Sequence, residues 1–139
     1  YEIPKRDWSS DVCSSDLGVG MLAGSIAAVA HHSVSAEFDT SKKITFTGVV
    51  KKVDWMNPHI YTHVEVKTAE GKTIVYKVEG GPPNSLYRQG VRPDSLKAGT
   101  VVTCTNCSPA KSPTSLNVNG RLTLQDGSNA MPATAPDPK

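Results

Sequence analysis

Apolar and polar side chains alternate through residues 44–79 with the two-residue period of β-strands, and each break in the alternation falls at turn-forming residues. In the first predicted strand, Ile44 to Asp54, Ile44 and Phe46 share a face while Val49, Val53 and Trp55 fall in the opposite phase. That slip, centred near Gly48, predicts a β-bulge and a strand bent enough to serve two sides of a barrel. The second strand is predicted over 59–68, with Ile60, Thr62, Val64 and Val66 toward the core and His59, Tyr61, His63, Glu65 and Lys67 outward. After the turn Ala69-Glu70-Gly71-Lys72 comes a third strand, in which Ile74, Tyr76 and Val78 alternate with Val75, Lys77 and Glu79.

Gly80-Gly81-Pro82-Pro83 ends the period. Asn84 predicts the N-cap of a short helix over 85–89, with Leu86 as its core contact and Gly90 as its left-handed end. A fourth strand is predicted over 100–105 and a fifth over 116–125, where Leu116, Val118, Leu122 and Leu124 share a phase. The expected fold is all-β with small α content, a five-stranded OB-like antiparallel β-barrel with the helix between strands three and four. An open antiparallel sandwich of the same strands is the alternative. Parallel α/β architecture is excluded, because no segment has the length of a crossover helix.

The N-terminal part of the 139-residue chain is set aside from this fold. Asp7 to Leu17, DWSSDVCSSDL, reads as a translated sequencing adapter, so residues 1–17 are taken as a non-native artefact. Residues 18–30, GVGMLAGSIAAVA, have the apolar stretch and Ala28-Val29-Ala30 end of a secretory signal peptide, and fall short of the roughly 20 residues a membrane span needs. A short buried helix is the other option. On the signal reading the domain covers residues 31–127, begins at His31 and works in a bacterial periplasm or outside the cell, with no membrane span in the mature form. Residues 128–139, rich in Pro and Ala, are expected to form a disordered tail.

Charge narrows the partners. The formal net charge is +2 and the basic residues are scattered, with only Lys42-Lys43 and Lys51-Lys52 adjacent in the domain, so nothing tracks a nucleic-acid backbone. Cys13 belongs to the adapter segment, which leaves Cys104 and Cys107. In an oxidising compartment they can close a small disulfide loop if the backbone brings their Cα atoms within about 7 Å; free thiols or a metal are the alternatives.

The histidines carry the only ligand chemistry. Cleavage after Ala30 would give His31 a free α-amine beside its imidazole, a chelate suited to Cu(II), with His32 or His59 supplying a third nitrogen. His59 and His63 cannot share one ion, since they lie roughly 13 Å apart along a single strand. At the corner Trp55-Met56-Asn57-Pro58-His59, Pro58 fixes φ and pushes Asn57 toward extended geometry, making a rigid connection. Trp55, Asn57, His59 and Tyr61 on that rim are the expected ligand contacts. No G-x-S-x-G, H-E-x-x-H or glycine-rich phosphate loop occurs, and Glu65 and Glu79 are expected to be solvated. The expected function is a non-enzymatic periplasmic binding or accessory module for a small ligand or a periplasmic protein; the alternative is a copper-binding protein.

Several short motifs occur in one order: His31-His32-Ser33, Phe38-Asp39, Thr47-Gly48-Val49-Val50, Trp55-Met56-Asn57-Pro58-His59, Glu79-Gly80, Pro83-Asn84-Ser85-Leu86, Arg88-Gln89-Gly90, Asp94-Ser95-Leu96-Lys97 and Leu124-Gln125-Asp126-Gly127. Together they resemble the bacterial exported family known as domain of unknown function 6152. The resemblance implies a small periplasmic β-barrel and no assigned activity. The chain departs from the family pattern at Pro82, where serine is usual, at Val91, where tryptophan is usual, and at Cys104 to Cys107, where a glycine-aromatic segment is usual.

Overall fold

The computed structural model describes residues 33–134; the adapter-like and leader-like segments, His31, His32 and residues 135–139 lie outside the described residues. Seven strands and two short helices follow in order: α1 (Val34–Glu37), β1 (Ile44–Asp54), β2 (Tyr61–Lys67), β3 (Thr73–Glu79), α2 (Pro83–Arg88), β4 (Val101–Pro109), β5 (Asn117–Asn119), β6 (Leu122–Thr123) and β7 (Asn129–Met131). The sheet runs β1-β2-β3-β5-β4, and β4 returns to β1, so the barrel closes on five strands. Closure removes the free edges that a flat sheet of this size would leave.

Not every pairing is antiparallel as expected. β3 and β5 run parallel, with Lys77 opposite Asn117, Val78 opposite Val118 and Glu79 opposite Asn119. The predicted fifth strand is divided into β5 and β6, because the chain bends at Gly120 and pairs with different neighbours on either side. Before the bend, β5 lies between β3 and β4; after it, Leu122 and Thr123 pair with Cys104 and Thr103. The segment from Ser128, expected as a disordered tail, supplies β7 instead, and Met131 is buried opposite Leu122. Met131 contributes apolar area that the short barrel strands lack, of the order of 2 kcal/mol for a fully buried side chain.

β1 has the predicted ends but not the predicted bulge. Phe46, Gly48 and Val50 all face inward, and the register against β2 shifts between Val50 and Lys52. Two consecutive lysines, Lys51 and Lys52, are thereby left in solvent while Val53 turns back toward the core. Gly48 is needed for a different reason, because a Cβ there would overlap the carbonyl oxygen of Glu65 and stand 2.8 Å from Val64 Cγ1 and Val66 Cγ2. The strands approach closely at that point, and only hydrogen fits.

The core is formed by Val50, Ile60, Val64, Val78, Leu86, Val102, Val118 and Leu122, with Phe46 stacked on Tyr76 at a ring separation of 4.2 Å. α2 brings Leu86 into it from the β3–β4 connection. The helix starts at Pro83 after Pro82, without a side-chain cap from Asn84, since proline at the first helical position lacks the N–H that would need one. Gly90 ends the turn at φ 82°. On the other side the α1 arm is held by Phe38, buried and bridged to Ala110. Among the described residues no helix is long and apolar enough to cross a membrane.

Candidate functional site

The β1–β2 corner turns at a cis Asn57–Pro58 bond and sends its side chains two ways. His59 goes inward. The alternation placed it on the solvent face of the second strand, yet it is 6% exposed, because β2 begins only at Tyr61 and His59 still belongs to the corner. Its Nδ1 lies 3.2 Å from Oε1 of Glu79, itself 3% exposed. Expected as a solvated strand residue, Glu79 is the centre of a buried polar cluster.

Three chain segments meet on that carboxylate. Tyr61 Oη donates to Oε2 at 3.4 Å, and Thr134 Oγ1, coming from the segment after β7, lies 3.1 Å from Oε1 and 2.8 Å from the carbonyl of Gly80. Burial raises the pKa of Glu79 above the ordinary carboxyl range, opposed by the His59 charge and the Thr134 hydrogen bond. Burial, together with the negative charges of Glu79 and Glu37, pushes the Tyr61 phenol up to about 12. Lys77 Nζ sits 3.9 Å above the Tyr61 ring, a cation–π contact that covers the outer side. Asn119, opposite Glu79 in the register, is 9% exposed, and its Nδ2 has no hydrogen-bond partner among the described residues.

The other side chains of the corner point outward. Trp55 is half-buried and meets Tyr87 of α2 edge to face at 5.4 Å. Met56 is 49% exposed and Tyr87 41%, with the Arg92 guanidinium 5.1 Å from the Tyr87 ring centroid. Asn57 is exposed. Of the four expected contact residues, then, Trp55 and Asn57 lie on the rim, Tyr61 is partly covered and His59 is withdrawn. Tyr87, Glu79 and Thr134 were not anticipated; Tyr87 was the most legible of them, an aromatic one position after the core residue Leu86 on a short helix.

His31 and His32 of the expected copper set lie outside the described residues, and the Nδ1 of His59 is engaged by Glu79. Among the described residues no three His, Cys, Asp or Glu side chains converge on one point. His63 bonds Asp54 at 2.7 Å, away from His59. Hydrogen bonds from Lys52 and then His63 hold the Asp54 carboxyl below its usual range.

Cys104 and Cys107 are joined in a disulfide with Cα atoms 6.0 Å apart. The fourth strand, predicted to end at 105, runs on to Pro109, so both cysteines lie inside β4, where Asn106 takes φ 56° and lets the strand kink between them. Both sulfurs are buried, and the bridge lies against Gly120, where a Cβ would overlap Cys107 Sγ. A covered disulfide of this kind staples a strand, and solvent does not reach it.

No curated protein and no solved structure matches the chain. A family of unknown function, DUF6152, matches residues 19–118, a stretch that includes the corner, the Glu79-Gly80 pair and α2. With most of its length covered by that match, the chain belongs to the DUF6152 family.

Proposed function

We propose that the barrel is an exported, non-enzymatic OB-like module that binds a protein partner through the rim formed by the β1–β2 corner and α2. The OB-like description is supported by the closure of β1 on β4, the parallel β3–β5 pair and a helix between β3 and β4. In such barrels the strand-one-to-two connection is a recurrent contact rim. One observation carries the reading: Trp55 meets Tyr87 edge to face on that rim and Met56, next to Trp55 in the chain, is exposed, while the polar His59 of the same corner is turned inward. Methionine and aromatic side chains are enriched at the cores of protein interfaces, where they supply large apolar area.

Site-specific photocrosslinking in cells exporting the protein tests this. A photoreactive residue at Met56 is expected to capture a discrete partner band that Tyr87→Ala weakens, while the same probe at Glu70, on the distant β2–β3 turn, captures none. Equal labelling from the two positions would remove the rim as the contact surface.

A further inference from the structure

The Arg92 guanidinium is braced where α2 ends. Its Nη1 donates to the carbonyl of Tyr87 at 2.9 Å and to that of Val91 at 3.2 Å, and the guanidinium carbon lies 5.1 Å from the Tyr87 ring centroid. The backbone is fixed as well: the Arg92 N–H donates to Ser95 Oγ at 2.8 Å, and the Ser95 N–H returns to the Arg92 carbonyl at 3.0 Å.

That bracing uses one nitrogen and leaves an edge over. A guanidinium carries its N–H donors in a planar fork, and those on Nε and Nη2 of Arg92 have no hydrogen bond among the described residues. Neither Arg92 nor Arg88, exposed in the last turn of α2, forms an ion pair among those residues. The carboxylates nearby in the chain do not change this. Asp54, just before Trp55, is taken by Lys52 and His63, and Asp94 is exposed in the turn that Ser95 closes without pairing to either arginine.

Tyr87 joins this charge to the apolar part of the rim. Its ring meets Trp55 at a centroid distance of 5.4 Å on top of the Arg92 contact, and Met56, next to Trp55 in the chain, is exposed. Side chains two positions apart on an extended peptide share a face and stand about 7 Å from each other, a span that reaches from one neighbour of that ring to the other.

Resting on the reading of the rim as a protein contact, we propose that the segment it receives is acidic: a carboxylate side chain is taken by the Nε–Nη2 edge of Arg92, and an aromatic or aliphatic side chain two positions along packs on Trp55 and Met56. That edge offers parallel N–H···O bonds to both oxygens of one carboxylate, which an ammonium cannot do. An arginine already held in place loses less freedom when it binds. An anionic membrane also takes apolar and basic residues, but it recruits clusters of roughly four to eight Lys and Arg, and here only Arg88 and Arg92 stand unpaired. A second copy of the chain would bring like charges together at the rim.

Panning a phage library of random peptides on the full chain, followed by anisotropy titration of the enriched peptides, tests this. Enriched sequences are expected to carry Asp or Glu two positions from an aromatic or aliphatic residue, and changing that acid to its amide is expected to weaken binding at least about tenfold. Arg92→Lys keeps the charge and a donor for the Tyr87 carbonyl but not the fork, and is expected to cost about as much. Arg92→Glu is expected to prefer a peptide whose acid is exchanged for arginine. Peptides that need Met56 and Tyr87 yet carry no acid and bind Arg92→Lys unchanged would overturn the inference while leaving the rim as the contact surface. Peptides indifferent to Met56→Ala and Tyr87→Ala would remove the rim itself. No enrichment, displacement of the peptides by phosphatidylglycerol vesicles, or self-association through Met56 and Tyr87 would each overturn the acidic segment as the occupant.

Discussion

The imidazole Nδ1 of His59 stands 3.2 Å from Oε1 of Glu79, and the two side chains close the end of the barrel where the β1–β2 corner, the end of β3 and the segment after β7 come together. Backbone bonds support the same junction: Gly80 N–H donates to the Ile60 carbonyl at 3.0 Å, and Gly80 bridges Ala133. The pair is therefore the tie between the corner and the C-terminal strand.

Removing the carboxylate takes the partner from the Tyr61 hydroxyl and from the buried His59 Nδ1 at once, while Thr134 keeps only the Gly80 carbonyl. Glu79→Ala is expected to cost about 3 kcal/mol of unfolding free energy by urea denaturation, the usual penalty for breaking a buried pair from one side. Glu79→Gln keeps an acceptor and isolates the titration. Because burial raises the folded-state pKa of Glu79 above its ordinary 4.5, the stability linked to its proton is complete below pH 4.5 and is lost as pH rises through the raised value. The stability of the wild type relative to Glu79→Gln should accordingly fall with rising pH across that window; a difference constant with pH would contradict it.

Tyr61 gives a spectroscopic test of the same junction. Its pKa of about 12 places its ionisation well above the ordinary phenol value of 10, where an absorbance titration reads it as a late step. The group is raised, so its contribution to stability is full below pH 10 and disappears as pH rises through about 12. Tyr61→Phe is expected to delete the late step, and a late step that survives the substitution would assign it to another tyrosine.

Thr62 is fully buried, and its hydroxyl has no hydrogen-bond partner among the described residues. Valine has the same shape without the oxygen. Thr62→Val is expected to stabilise the barrel by about 1 kcal/mol, the cost of an unsatisfied buried hydroxyl, read as a higher urea midpoint with an unchanged slope. A lower midpoint would mean that the hydroxyl is satisfied in solution.

Gly120 and the disulfide occupy one space. Gly120→Ala forces a methyl onto Cys107 Sγ, with Cys104 Sγ only 3.0 Å away, and is expected to cost about 2 kcal/mol as an overpacked core site. Reduction of the bridge should lower stability by a similar amount, about 2 kcal/mol for so short a loop. Urea unfolding with and without reductant measures both, and a Gly120→Ala protein as stable as the wild type would show that the bend can move.

Much of the barrel was legible because alternation is a local property. Ile60, Thr62 and Val64 fall inward wherever β2 is placed, since consecutive strand side chains must point to opposite faces, and all three are buried. Leu86 and the left-handed Gly90 were readable for the same reason, as spacing and backbone freedom within one short segment. A slip in β1 was expected at Gly48 but lies between Val50 and Lys52, and the reason for Gly48 was not legible: its missing side chain answers to Val64 and Val66 on another strand, which no local pattern encodes.

What the sequence by itself determined is which side chains share a face, where the chain turns and which family it joins, because these depend on neighbours along the chain. What only the tertiary structure decided is which outward face stays wet. Glu79 and Val75 have the same parity on β3, yet Glu79 is buried by His59 and by Thr134 while Val75 remains exposed. That difference comes from segments distant in sequence arriving at one end of the barrel. It is there that a carboxylate expected in water becomes the junction on which the corner is held.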